Sequence, residues 1–231
     1  MRFIPLAALA VLTATVAPAQ EAWIIPFAAA TRPDLAGFNA AFAAESIPQS
    51  AATHGGWGME LRWRMGGFLA GPMFLRTWDE AANDSFQLRT DETGIFFNLG
   101  PSLQVLRSLT IVPMVGIGGL NHSFAVRQKT GAQEFGELFD QPPWPGSSIT
   151  MSPGMKLTGL AALELNLSLS TGSGRYGLEL RGGYMYSPFA LQWHLSNGAE
   201  VMNAPEMHAG GPFASVGIVL MPEPEVSSIS P

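Results

Sequence analysis

Beyond Gln20 the chain is patterned with a period of two, and that pattern constrains its fold more than any motif it carries. In residues 57–64, Trp57, Met59, Leu61 and Trp63 fall on one face, and Gly58, Glu60, Arg62 and Arg64 on the other. Successive residues of a strand point to opposite sides, so the segment reads as a strand with one apolar and one polar face. Over residues 95–105 the odd positions Ile95, Phe97, Leu99, Leu103 and Val105 are apolar, while Asn98, Gly100, Ser102 and Gln104 are small or polar. Residues 163–170 alternate Leu with Glu164, Asn166, Ser168 and Ser170. In residues 175–186, Tyr176, Leu178, Leu180, Tyr184 and Tyr186 oppose Arg175, Glu179 and Arg181. Segments 22–30, 67–77, 109–124 and 211–221 complete a set of eight. Most are close to the roughly 9–11 residues that a tilted membrane strand needs.

The connections alternate as well. Residues 64–66, 106–108 and 171–174 are tight hairpins, whereas 31–52, 78–92, 126–155 and 188–210 are long. Short turns at one rim and long loops at the other predict an all-β, eight-stranded, antiparallel up-and-down transmembrane barrel. The first long connection carries a short helix over residues 33–45. Pro33 suits a first helical position, and Leu35, Phe38 and Phe42 recur on one face. That helix either plugs the barrel mouth or lies on its surface. Residues 142–146 (Pro-Pro-Trp-Pro-Gly) are expected to be irregular, and residues 222–231 a flexible tail.

Alternation does not say which face is inside, and here composition enters. A water-facing barrel would carry many charges outside. This chain of 231 residues is 13% charged, with Lys129 and Lys156 as its only lysines. The usual charged share is about 25%. Its polar strand faces hold mainly Gly, Ser, Asn and Gln, which suit the crowded interior of a small barrel. The charges on those faces balance: Glu60, Glu164 and Glu179 can meet Arg62, Arg64 and Arg181 as a lumen network. Tyr176 and Tyr186 stand ten residues apart on one apolar face. With a strand tilt of about 40° that spacing spans about 25 Å, the height of the apolar band between aromatic girdles. Trp57, Trp63 and Trp78 fit the same membrane-interface belts.

Residues 1–19 read as a cleaved signal peptide: Arg2, an apolar run over 4–16, then Ala17-Pro18-Ala19. That run is too short to span a bilayer, which takes about 20 residues. Residues 20–221 then form the barrel. A net charge of −6 excludes a basic nucleic-acid-binding face, and the absence of cysteine excludes disulfides and thiolate metal sites.

On these features the chain resembles the small outer-membrane β-barrel proteins of Gram-negative bacteria, the OmpA/OmpX-like group of the porin superfamily. The resemblance implies export to the cell outer membrane and contact with its lipid and lipopolysaccharide. It further implies a monomer with a surface-interaction or structural role and a lumen filled by side chains. The chain departs from the group in ending its last segment near Met221, followed by Pro222-Glu223-Pro224-Glu225 rather than a terminal aromatic. Neither a cofactor nor a metal is implied.

Few motifs carry chemistry. Residues 172–177 match G-x-G-x-x-G, but strands flank them where a dinucleotide site needs a following helix. His54, His122, His194 and His208 lack metal-ligand spacing and read as loop histidines. His194-Leu195-Ser196-Asn197 is similar to the H-x-S-N segment of outer-membrane lipid A deacylases. That resemblance implies Ser196 as nucleophile, His194 as base and Glu206 as the nearest candidate third member. A deacylase-like enzyme is therefore one alternative, and a soluble lipocalin-like carrier with an apolar cavity is another. Twelve of the 18 acids fall in the long connections and read as a solvated rim: Asp34, Glu45, Asp79, Glu80, Asp84, Asp91, Glu92, Glu134, Glu137, Asp140, Glu200 and Glu206.

Overall fold

The computed structural model describes residues 21–129, 148–171 and 174–221. The expected signal peptide, the Pro-rich stretch and the tail lie outside them. The strands are β1 (Glu21–Thr31), β2 (His54–Met65), β3 (Phe68–Ala82), β4 (Phe86–Pro101), β5 (Leu103–Leu106), β6 (Leu109–Gln128), β7 (Ser148–Ser152), β8 (Lys156–Thr171), β9 (Gly174–Ala190), β10 (His194–Leu195) and β11 (His208–Met221). Helix α1 (Ala36–Ala44) lies between β1 and β2.

Eight of these strands close a ring in the order β1-β2-β3-β4-β6-β8-β9-β11, and every neighbouring pair is antiparallel. The ring shuts where β11 pairs with β1, with Ala28 opposite Val216 and Thr31 opposite Phe213. The other strands are short additions: β5 pairs with the start of β6, β7 with its end, and β10 with β7. Closure removes the unpaired edges of an open sheet. Among the described residues no helix is long and apolar enough to cross a membrane.

Local chemistry fixes the turns. Met65 pairs with Phe68 around a two-residue loop whose Gly66 holds φ at 61°, a left-handed value that primed hairpin turns require at their first position. Leu106 pairs with Leu109 around Arg107-Ser108. The expected long connection over 78–92 is instead a hairpin: β3 runs to Ala82 and β4 starts at Phe86. Its tip is closed by Asn83, whose side-chain oxygen accepts from the backbone N–H of Ser85 at 2.9 Å and of Phe86 at 2.7 Å. The outward charges Glu80 and Arg89 make this hairpin look like a loop in the sequence.

Alternation sorts the side chains inside out. Trp57, Met59 and Leu61 are 50%, 48% and 39% exposed, while Glu60 and Arg62 between them are 0% and 1% exposed. The same holds across the barrel, where exposed Leu163, Leu178 and Leu180 flank buried Glu164, Glu179 and Arg181. Inside, apolar clusters occupy both ends. The larger, at the long-loop end, includes Phe27, Phe38, Phe42, Leu75, Phe96, Leu120, Phe124 and Trp193. The smaller, at the short-turn end, holds Trp23, Ile25, Leu69, Val112, Met114 and Val219. Large side chains face small ones: Phe27 pairs with Gly58 on one side and Gly217 on the other. A Cβ on Gly58 would lie 2.2 Å from the Phe27 ring.

Helix α1 begins at Ala36, three residues beyond Pro33, because Pro33 lies in the approach rather than the first turn. Asp34 accepts a 3.3 Å hydrogen bond from the Ala36 N–H. Phe38 and Phe42, one turn apart, are buried inside the barrel mouth. Of the two expectations for this helix, the plug is the one observed.

Candidate functional site: the charged lumen and its roof

Between the two apolar clusters the lumen is ionic. Along β9 the inward positions run Met185, Gly183, Arg181, Glu179 and Gly177, from the upper cluster towards the lower one. Glu60 and Arg62 come from β2, on the far side of the ring from β8 and β9, which supply Glu164, Glu179 and Arg181. Arg62 grips Glu164 across the barrel in a bidentate pair; the contact through Nη2 and Oε2 is 2.8 Å. Arg62 Nε also donates to Glu60 Oε1 at 3.0 Å. Arg181 Nη2 donates to Glu60 Oε2 at 2.5 Å and to Glu179 Oε1 at 2.6 Å, and its Nε to Glu164 Oε2 at 3.1 Å. Asn166 adds a donor to Glu164. The side chains of all five charged residues are fully buried. Three carboxylates therefore share two guanidiniums. The upper side of the network is apolar: Phe27 lies 5.7 Å from the Arg181 guanidinium carbon, and the Met73 sulfur contacts Arg181 Nη1 at 2.9 Å.

Five of the six residues expected in the lumen network are thus brought together. The sixth, Arg64, lies farther along β2 towards the short-turn end and is partly exposed. The expected interface aromatics Trp57, Trp78, Tyr176 and Tyr186 all point outward and are exposed, and Trp63 is half-buried.

Within the upper cluster, beneath its aromatic top, a second polar layer appears. His54, Thr77, Glu92 and His122 are 0% exposed. They face inward on β2, β3, β4 and β6, with Thr77 opposite Glu92 and Glu92 opposite His122. The expectation of loop histidines fails for His54 and His122, and Glu92 belongs to no solvated rim. Their signal was parity: Leu88, Thr90, Glu92, Gly94, Phe96 and Asn98 form one unbroken even-numbered face. The even positions of β6 do the same through Leu120, His122 and Phe124.

The roof over this layer is aromatic. Phe38 stacks on Phe124 at 4.7 Å and meets Trp193 edge-on at 4.8 Å, while Phe42 meets Phe124 at 5.4 Å. A polar latch holds α1 in place. Asn39 exchanges two 3.0 Å hydrogen bonds with the Ser50 backbone. The Ser50 hydroxyl donates to Asp79 at 2.9 Å and lies 3.1 Å from His54 Nε2, and Asp79 also accepts from the Ala51 N–H at 2.7 Å. Because Asp79 takes the Ser50 proton, this Ser–His–Asp set works as a fastening and lacks the order of a nucleophilic triad.

On the outer wall, the top of the β3–β4 hairpin bears Arg76, Glu80, Arg89 and Asp91, beyond the apolar stretch of these strands. Arg89 meets Asp91 at 2.6 Å and Glu80 at 3.0 Å, and Arg76 meets Asp91 at 3.0 Å. Partial burial raises the Asp91 carboxyl. Hydrogen bonds from Arg89 and Arg76 outweigh it and hold the group below its ordinary value.

The candidate hydrolytic residues are scattered. His194 lies on β10 opposite Ser152, Ser196 is exposed with its N–H bonded to Thr150, and Glu206 approaches His208 at 3.7 Å rather than His194. Among the described residues no three His, Asp or Glu side chains converge as metal ligands.

No family model and no curated protein matches the chain. Among solved structures it is similar to Ail, the attachment invasion locus protein of Yersinia pestis, at 12% identity and a TM-score of 0.47, covering 87% of this chain and 98% of that one. Neisserial surface protein A follows at 10% identity and 0.40, covering 86% and 96%. CarO2 of Acinetobacter baumannii stands at 10% and 0.37, covering 86% and 99%.

Proposed function

We propose that this chain is an integral barrel of the bacterial outer membrane, with a structural or surface-interaction role and a lumen closed by its own side chains. The observation that carries the reading is the inverted burial of β2, with Trp57, Met59 and Leu61 outside and Glu60 and Arg62 inside. In water that arrangement would expose a continuous apolar wall, far larger than the few hundred Å² a soluble protein tolerates. In a bilayer the wall meets hydrocarbon and the charges meet one another. A soluble carrier with an apolar cavity needs the opposite facing. Trp57, Trp63, Trp78, Tyr176 and Tyr186 then serve as interface anchors, and the long-loop end, carrying α1, is the surface offered to partners. Lipid and lipopolysaccharide are its expected neighbours, and residues 1–19 its export signal.

The test is extraction. Expressed in a Gram-negative host, the protein should sediment with the outer membrane, require detergent to dissolve, and migrate differently on gels before and after boiling. N-terminal sequencing should begin at Gln20. Recovery as a soluble periplasmic protein without detergent would overturn the proposal.

A further inference from the structure

The lumen network holds one carboxylate more than it has guanidiniums, and its hydrogen bonds single that carboxylate out. Of its six carboxylate oxygens, five accept a hydrogen bond. Both oxygens of Glu60 do so, from Arg62 and Arg181, and both of Glu164, from Arg62, Arg181 and Asn166. Glu179 Oε1 accepts from Arg181, but Glu179 Oε2, 3.3 Å from Arg62 Nη2, receives no hydrogen bond. A second buried acceptor is also unmet. Asn166 gives its Nδ2 to Glu164 Oε1 at 2.5 Å, which fixes the amide, and its Oδ1 is left without a donor. Asn166 and Glu179 stand directly opposite each other on β8 and β9, and both face the lumen. Residues paired in this way have Cβ atoms about 4.5–5.5 Å apart, so their side chains are within reach of each other.

We propose that the lumen binds one proton, carried on Glu179 Oε2 and donated in a hydrogen bond to Asn166 Oδ1. That single proton meets both unmet acceptors and leaves two carboxylates against two guanidiniums. Buried polar groups are nearly always satisfied, and carboxylates crowded into one site do not all ionise. The charged groups facing Glu179 are Glu60 and Arg62 from β2, Glu164 from β8 and Arg181 from β9. Arg64, the next inward position of β2, lies on the short-turn side and is partly exposed. At this level the remaining strands turn Ile25, Met73, Asn98, Val112 and Gly217 inward, none of which titrates. The inference goes beyond the closed-barrel reading, since a closed lumen could equally hold an ionised network.

The test is proton linkage. An unfolded glutamate gives up its proton at about pH 4.3, whereas the folded chain keeps this one at neutral pH. Folding therefore takes up one proton over that range, and its equilibrium constant falls about tenfold per pH unit. Measured by equilibrium unfolding of the full chain in lipid vesicles, the ratio of wild-type to Glu179→Gln folding constants should fall about a hundredfold from pH 5 to pH 7. Titrations that the two chains share cancel in the ratio. At pH 7 the infrared spectrum of the wild type should carry the C=O band of a protonated carboxyl that Glu179→Gln lacks and that Glu206→Gln, at an exposed position, keeps. In Asn166→Val the band should remain and move to higher frequency, as for a carboxylic acid without an acceptor. Heat-modifiable gel mobility checks the fold of each variant, and if Glu179→Gln does not fold, Asn166→Val against the wild type decides. A ratio that stays constant from pH 5 to pH 7, no carboxyl band lost in Glu179→Gln, or a band that Asn166→Val leaves unmoved would each overturn the proposal. None of these results bears on membrane location.

Discussion

At the scale of single residues, the lumen network is decided by counting. Three carboxylates meet two guanidiniums, so the two kinds of deletion are not equivalent. Arg62→Leu leaves Glu60, Glu164 and Glu179 with Arg181 alone, in a space where unpaired charge cannot be hydrated. Breaking a buried pair in this way costs about 3–5 kcal/mol. Glu179→Gln leaves two of each sign and keeps a hydrogen-bonding side chain, so it should cost under about 1.5 kcal/mol. Equilibrium unfolding in lipid vesicles checks the order, and a Glu179→Gln cost equal to that of Arg62→Leu would refute the count. On the outer wall the sign of tolerance reverses. Leu180 lies on the same strand as Arg181, one position along, and is 42% exposed. An arginine introduced there should cost about 2–4 kcal/mol in a bilayer, and the same vesicle measurement reads it. That one residue's shift moves an arginine from essential to damaging is the period-two rule expressed as energy.

At the scale of elements, the strands were legible and their ends were not. Alternation located all eight wall strands because each has one exposed apolar face and one face packed into the lumen. It lost the top of β3 and β4, where the outward face turns to Glu80, Arg89 and Asp91 and the contrast between faces disappears. Glu92 was lost with it, although the inward parity continued. The charged network was legible by face but not by partner, since Arg62 and Glu164 stand 102 residues apart in the chain. Helix α1 was legible as a helix and not as a plug, because its partners Phe124 and Trp193 belong to distant elements. A nine-residue helix has little stability of its own in water, so packing and the Asn39 latch must hold it. The double change Phe38→Ala and Phe42→Ala removes most of that packing, each truncation being worth about 3–5 kcal/mol in a buried site. Limited proteolysis should then cut within residues 33–53 while the barrel keeps its heat-modifiable mobility. A barrel that unfolds together with the helix would show that α1 is part of the wall's stability rather than a seated plug.

At the scale of the whole molecule, the lumen is closed by two layers of unlike kind above the small apolar cluster at the short-turn end. The roof is aromatic and depends on α1. The lower closure is ionic and depends on Arg62 reaching from β2 to Glu164 on β8. An eight-stranded barrel is only wide enough for side chains to fill, so either layer suffices to stop an ion. The two closures also fail independently, since no roof residue belongs to the network. It follows that removing the roof alone should leave conductance in planar bilayers at the lipid baseline. Shortening Arg62 and Arg181 alone should do the same, because Phe38, Phe42, Phe124 and Trp193 still exclude water above. Current is expected only when both layers and the small apolar cluster beneath them are opened in one chain, and then it should favour cations, since the three carboxylates remain. A roofless variant that already conducts would mean that the Arg–Glu layer is a gate rather than a floor, and the barrel a channel with a lid.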